Sequence, residues 1–182
     1  YKRQHDDRMF LFRAGKEHRF LLLDTRQMKV REVKTSGPIH RLRFTRAADY
    51  SVFFNREAAL GFPHDSWVIN ADGTGMKKIH DLSGHPDWAP DGHALSFYGD
   101  GAITLVNRDG SNPHVLIKHG AGGHGGWSLD GRWIISDSPG GGMFPNQIFM
   151  VEANGSGRAH AVCAHNASYQ GWKSGHPDPE ST

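Results

Sequence analysis

One segment of the sequence recurs, and its spacing restricts the fold more than any other feature does. Residues 84–92 read GHPDWAPDG and residues 123–131 read GHGGWSLDG, with His, Trp, Asp and Gly in the same register. Residues 175–182, GHPDPEST, begin the segment a third time. Residues 40–49, HRLRFTRAAD, form a more divergent copy with one extra residue between the His and the aromatic. A unit that recurs along a chain at a regular interval is typical of a repeat architecture.

The interval between the copies has the length of a propeller blade. Phe44, Trp88 and Trp127 follow one another at intervals of roughly 40 residues, which matches a β-propeller repeat of about 40 to 50 residues. Propellers usually contain about 4 to 8 blades, and about 3.5–4 blades of that size fit into 182 residues. We therefore expect residues 1–182 to be one partial propeller, a fragment of a longer chain.

A second recurring element supplies further strands of each blade. Residues 66–73 (SWVINADG), 102–110 (AITLVNRDG) and 147–155 (QIFMVEANG) are each an apolar stretch that runs into an Asn/Asp-rich turn with Gly. Such turns favour β-hairpins, and no segment shows a sustained helical period. The predicted fold class is all-β, a β-propeller of four-stranded antiparallel blades. The predicted inner strands lie near residues 40–46, 85–91, 124–130 and 176–182.

Composition excludes several classes of function. The 21 basic and 19 acidic residues are interspersed, so we expect no nucleic-acid partner, which would need clustered Lys and Arg. Cys163 is the single cysteine, which excludes a disulfide framework and a thiolate metal cluster. No apolar run reaches the ~18 residues of a membrane span. Periplasmic and cytoplasmic locations both stay open.

Histidines occupy one equivalent position at the start of successive inner strands: His85, His124, His176 and, shifted by one residue, His40. Equivalent positions of neighbouring blades converge on the centre of a propeller, so these side chains should approach one another. Residues two apart on a strand share a face, which pairs His85 with Asp87 and His176 with Asp178. Imidazoles combined with a carboxylate suit a divalent transition metal such as Mn²⁺. The alternative is that each histidine only hydrogen-bonds the backbone of a neighbouring blade.

The blade pattern His-x-x-Trp-x-Pro-Asp-Gly, residues 85–92, resembles that of TolB-like propellers. The order of the inner-strand histidines is similar to that of the oligogalacturonate lyases, seven-bladed propellers that cleave pectin-derived uronides by β-elimination with Mn²⁺. The resemblance implies that His85 is the catalytic base. It also implies that His124, His176 and Asp178 are metal ligands.

Three positions depart from the family pattern. Asp178 stands where the family has a second His, and Lys173 stands where it has a Gln ligand. Asp65 stands where it has a substrate-binding Arg. Arg56, or an Arg outside this sequence, would then have to bind the substrate carboxylate. A different uronide or a different reaction is therefore an open alternative.

The sequence thus predicts a metal-dependent polysaccharide lyase-like enzyme acting on anionic uronic-acid oligosaccharides. The alternative is a non-catalytic TolB-like propeller that serves as a binding or protein-interaction module. The same-face pair of His176 and Asp178, combined with His124, favours the enzyme, and the loss of the Arg at Asp65 favours the binding module.

Overall fold

The computed structural model describes residues 8–13, 18–35, 37–39, 41–45, 49–56, 64–81, 85–120, 123–138 and 141–164, and the backbone of residues 2–3. All regular elements in this part of the chain are strands. They are β1 Lys2–Arg3, β2 Met9–Arg13, β3 Arg19–Asp24, β4 Lys29–Lys34, β5 Arg41–Phe44, β6 Val52–Arg56, β7 Asp65–Ile69, β8 Lys77–His80, β9 Asp87–Trp88, β10 Ala94–Gly99, β11 Ala102–Asn107, β12 His114–Lys118, β13 Gly125–Trp127, β14 Trp133–Ser138, β15 Gln147–Glu152 and β16 Ala159–Ala164.

The strands form four antiparallel sheets of four strands each: sheet 1 (β1–β4), sheet 2 (β5–β8), sheet 3 (β9–β12) and sheet 4 (β13–β16). Within every sheet, neighbouring strands are consecutive in the sequence, which is the up-and-down order of a propeller blade. The prediction of a partial β-propeller of four-stranded blades is confirmed. The predicted inner strand near 176–182 lies outside the described residues.

The same irregularity recurs in three of the sheets. Where the third strand pairs with the fourth, the register shifts by a β-bulge, which bends a strand and increases its twist. Each bulge adds one residue to the fourth strand, and no motif in the sequence predicts it. They lie at Ser66/Trp67, Ile103/Thr104 and Ile148/Phe149.

Contacts divide the chain into two compact units. The first comprises Tyr1–Ser83 with Arg108–Gly110, and the second comprises Gly84–Asn107 with Ser111–Thr182. In the first unit, sheets 1 and 2 pack through a buried core in which the Phe20 and Phe54 rings lie 5.8 Å apart. Strand β6 is buried along its whole length, as expected for a strand covered on both faces.

The second unit has a core of its own between sheets 3 and 4. Its fully buried side chains include Ile103, Ile134 and Phe149. The predicted Asp-Gly turns close the first hairpin of both sheets in the same way. Gly92 donates its amide to Ala89, Gly131 donates its amide to Ser128, and both glycines have positive φ. Glycine adopts this conformation at the least cost.

In the described ranges of the chain, no helix has the length and apolar character needed to cross a membrane.

The packing of sheets 3 and 4 leads to a stability prediction at Gly125. A Cβ added there would lie 2.7 Å from Tyr98 Cζ and closer still to the Ile135 carbonyl oxygen. We expect Gly125→Ala to lower the free energy of unfolding, measured in urea, by about 1–3 kcal/mol through overpacking. Gly99→Ala is the matched control because no atom lies within 4 Å of its added Cβ; its effect should stay within about 0.5 kcal/mol. Equal effects of the two substitutions would contradict the close approach of the sheets.

Candidate functional site

Two histidines meet where sheets 3 and 4 adjoin. His85 lies two residues before β9, and His124 lies immediately before β13. Their ring centroids are 3.9 Å apart, and the ring planes meet edge to face at 85°. Both residues are half-buried, so the pair is held in place and still accessible to a solute. The structure thus brings together the predicted catalytic base and one predicted metal ligand.

Hydrogen bonds between the two sheets fix the separation of the histidines. The Asp87 carboxylate accepts a bond from the Trp127 backbone amide at 3.1 Å. The Trp127 indole N–H donates to Ser96 Oγ at 3.0 Å, and this hydroxyl lies 3.1 Å from the Tyr98 hydroxyl. Asp87, which the spacing pairs with His85, therefore binds the backbone of the adjoining sheet.

The glycines around His124 allow the backbone to pass close to its neighbours. A Cβ on Gly123 would collide with the Asp137 carbonyl oxygen and would lie 3.1 Å from its carboxylate. A Cβ on Gly126 would lie 3.2 Å from Asp87 Oδ2. Sequence reasoning assigned no role to these glycines. The signal that could have found them is the run of glycines on both sides of a single histidine.

Asp137 is a buried carboxylate that faces His124 from strand β14. Its Oδ1 accepts a hydrogen bond from the His124 backbone amide, and its Oδ2 lies 3.9 Å from His124 Nδ1. The Asp137 side chain has no exposed surface. Sequence reasoning missed this residue. The feature that could have indicated a buried carboxylate is an Asp near the end of a predicted apolar strand.

His119 is a buried histidine that sequence reasoning missed. Its ring lies 5.2 Å from that of Phe149, which in turn stacks on Phe144 at 4.9 Å. Burial lowers the pKa of His119, and the negative charge of Asp137 acts in the opposite direction. The ring is therefore held neutral beside the buried carboxylate.

Arg56, the predicted substrate-binding residue, lies in a buried ion pair of the first unit. It is the cross-strand partner of Asp65. Its Nε donates to Asp65 Oδ1 at 2.6 Å, its Nη2 contacts Oδ2, and the guanidinium lies 5.4 Å from the centroid of the Trp67 ring. Burial acts to raise the pKa of Asp65, but the hydrogen bonds and positive charge of Arg56 outweigh it and hold the pKa below its usual range. Asp65, which stands where the oligogalacturonate lyases have a substrate-binding Arg, is thus the ion-pair partner of Arg56. Substrate binding by Arg56 stays a prediction.

The predicted metal ligands His176 and Asp178 lie outside the described residues. Among the residues that are described, no three His, Cys, Asp or Glu side chains are grouped so as to hold a metal ion. His85 and His124 place two imidazoles side by side, and imidazole nitrogens are suitable ligands for divalent transition metals. The pair thus fits part of a metal site, whose further ligands would have to come from elsewhere in the chain.

Comparison with known proteins identifies the fold. No protein-family model matches the chain, and a search of curated protein sequences gives no significant match. Solved structures do match. A putative TolB from Agrobacterium tumefaciens has a TM-score of 0.66 at 18% identity, over 92% of this chain and 62% of that protein. TolB from Acinetobacter baumannii has a TM-score of 0.61 at 16% identity, over 84% of this chain and 40% of that protein.

An oligogalacturonate lyase from Vibrio parahaemolyticus is similar to the same degree. Its TM-score is 0.63 at 18% identity, over 83% of this chain and 44% of the lyase. This chain therefore corresponds to about two fifths to three fifths of the length of these proteins. The chain has the fold of a TolB-like β-propeller.

The Arg56–Asp65 pair can be tested by comparing the loss of one partner with the replacement of both. Asp65→Ala leaves a buried guanidinium uncompensated and should lower the free energy of unfolding by about 3–5 kcal/mol. Arg56→Met combined with Asp65→Leu should cost much less, because no charge is then left buried. Arg158→Ala, which breaks an exposed pair with Glu152, is the control and should have a small effect because water screens that pair. Urea unfolding measures all three variants; a loss in Asp65→Ala no larger than in Arg158→Ala would contradict a buried pair.

The lowered pKa of His119 predicts a pH dependence of stability. Below about 6.5, the ordinary histidine pKa, the unfolded chain binds more protons at this position than the folded chain does. Stability should therefore fall as the pH falls into that range. In His119→Asn this contribution is absent, so the melting temperature should fall less between pH ~8 and ~5. Parallel melting curves for the two proteins across that range would show that His119 is not buried in neutral form.

Proposed function

We propose that the chain is part of a metal-dependent polysaccharide lyase-like enzyme that performs β-elimination on uronic-acid oligosaccharides. The observation that carries the proposal is the contact between His85 and His124 at the start of two adjoining blades. The similarity in fold to an oligogalacturonate lyase supports it. The histidine pattern resembles that of the oligogalacturonate lyases, and this resemblance implies that His85 is the base and His124 a metal ligand.

The reaction begins with removal of the proton α to the uronate carboxylate. That proton is weakly acidic, so a general base must lie within hydrogen-bond reach of the carbon. A neutral imidazole has a pKa close to the working pH and suits this role. His85 is the proposed base, and its half-buried position beside His124 limits the orientations of its ring.

Negative charge develops on the substrate carboxylate as the α proton passes to the base. Mn²⁺ or another divalent cation, when bound, supplies the positive charge that stabilises this enolate-like species. Collapse of this charge forms the C=C bond of the unsaturated product and breaks the bond from the β carbon to the glycosidic oxygen, which leaves and takes up a proton. His124, His176 and Asp178 are the residues proposed to hold it. Two hydrogen bonds restrain the position of His124. Its backbone amide donates to Asp137, and the amide of Trp127, on the strand that follows His124, donates to Asp87.

Arg56 is the proposed contact for a carboxylate of the anionic substrate, but its ion pair restricts that role. A substrate carboxylate would have to compete with Asp65, which already accepts bonds from the Nε and Nη2 groups of Arg56. This observation favours the second candidate, a non-catalytic TolB-like propeller that binds a protein partner. In that case the His85–His124 contact only stabilises the junction of two blades.

Metal binding and product formation together test the proposal. Calorimetry with Mn²⁺ should show stoichiometric binding to the wild-type protein and none to His124→Ala. His85→Ala should keep Mn²⁺ binding and lose the ultraviolet absorbance of unsaturated product that forms on incubation with oligogalacturonate. The exposed His93→Ala is the control and should retain both properties.

Two outcomes would reject parts of this proposal. Unchanged Mn²⁺ binding by His124→Ala would remove the metal site. Stoichiometric binding without any unsaturated product from oligogalacturonate in the wild-type protein would remove this lyase activity and favour the binding module.

A further inference from the structure

Asp137 stands out as a fully buried carboxylate within strand β14, opposite Ile148 of β15. Burying a carboxylate costs free energy unless hydrogen bonds and charges compensate it. An apolar residue at this position would avoid that cost. The contacts that Asp137 makes with its neighbours therefore indicate why a carboxylate occupies this buried position.

The backbone of His124 is fixed from strand β14 at both of its polar groups. Asp137 Oδ1 accepts the His124 amide hydrogen. The His124 carbonyl oxygen accepts bonds from the Asp137 amide at 3.0 Å and from Ser136 Oγ at 2.9 Å. Hydrogen bonds from strand β14 thus fix the position of the His124 backbone, and with it the point from which the imidazole extends.

The same carboxylate also faces the His124 ring. Oδ2 lies 3.9 Å from Nδ1, and both atoms are buried from solvent. This distance is beyond that of a direct hydrogen bond, so the carboxylate acts through its charge: in a buried setting it favours the tautomer with the proton on the nearer nitrogen, which leaves the lone pair on the other. The His124 side chain is 18% exposed, and since Nδ1 is buried, the exposed part of the ring lies away from Asp137.

We propose that Asp137 is a positioning residue for His124, which holds the imidazole as the Nδ1–H tautomer and presents Nε2 to a divalent cation. The inference rests on the proposed function for the role of His124 as a ligand. Asp137 itself touches neither the substrate nor the cation. Outer-shell partners of this kind typically change metal affinity by about 10- to 100-fold.

Asp137→Asn tests the proposal with little change of shape. The Asn side-chain oxygen can still accept the His124 amide hydrogen, but the negative charge beside Nδ1 is removed. Asp130→Asn is the matched control, because it makes the same chemical change on a solvent-exposed turn of the same sheet. The first readout is the ¹⁵N spectrum of the His124 ring nitrogens in metal-free protein at about pH 8.5, where imidazole is neutral. The second readout is Mn²⁺ affinity by calorimetry.

The expected result is an Nδ1–H tautomer of His124 in the wild-type protein and in Asp130→Asn. In Asp137→Asn, the Nε2–H tautomer should become populated and Mn²⁺ binding should weaken by about 10- to 100-fold. A purely structural role of Asp137 would lower the melting temperature without changing the tautomer, and an unchanged tautomer overturns the proposal.

The wild-type spectrum keeps the test decisive if Asp137→Asn does not fold, since an Nε2–H tautomer of His124 there also overturns the proposal. Failure of the proposed function has a different signature. In that case the wild-type protein does not bind Mn²⁺, while the tautomer still depends on Asp137.

Discussion

A hydrogen bond from the Trp127 backbone amide to the Asp87 carboxylate joins the first strands of sheets 3 and 4, and the candidate site depends on it. His85 precedes Asp87 by two residues, just before the first strand of sheet 3, and His124 precedes Trp127 by three, just before the first strand of sheet 4. The bond therefore limits how far the two histidines can separate. The Trp127 indole donates a second hydrogen bond, to Ser96 on β10, so that a displacement of the strand that carries Trp127 would break two hydrogen bonds.

Buried polar groups of the second unit are concentrated around this junction. Ser96, Ser136 and Asp137 have no exposed surface, and Asp87 and His119 have very little. A stack of sheets can be stabilised by apolar side chains alone, and each buried polar group requires a partner to offset its desolvation. Local departures from an apolar interior are expected where a protein has a function to support. The first unit also buries polar groups, and among those in the described part of the chain the Arg56–Asp65 pair is the charged one.

The repeat and its turns were sufficient to predict the four-stranded sheets, because turn chemistry and apolar alternation are local properties of the sequence. The contact between His85 and His124 followed from their equivalent places in successive repeats. The roles of Asp137 and Gly123 did not follow, since they depend on how closely two strands approach each other. The Arg56–Asp65 pair depends on the register of a hairpin, and the sequence alone suggested substrate binding for Arg56 instead.

The most direct test of this account is a measurement of nuclear Overhauser effects between the ring protons of His85 and His124 in protein with isotopically labelled histidine. Ring centroids 3.9 Å apart predict a strong cross-peak between the two rings. Assigned signals from both rings with no cross-peak between them would contradict the convergence of the two histidines, and with it the site proposed for this propeller.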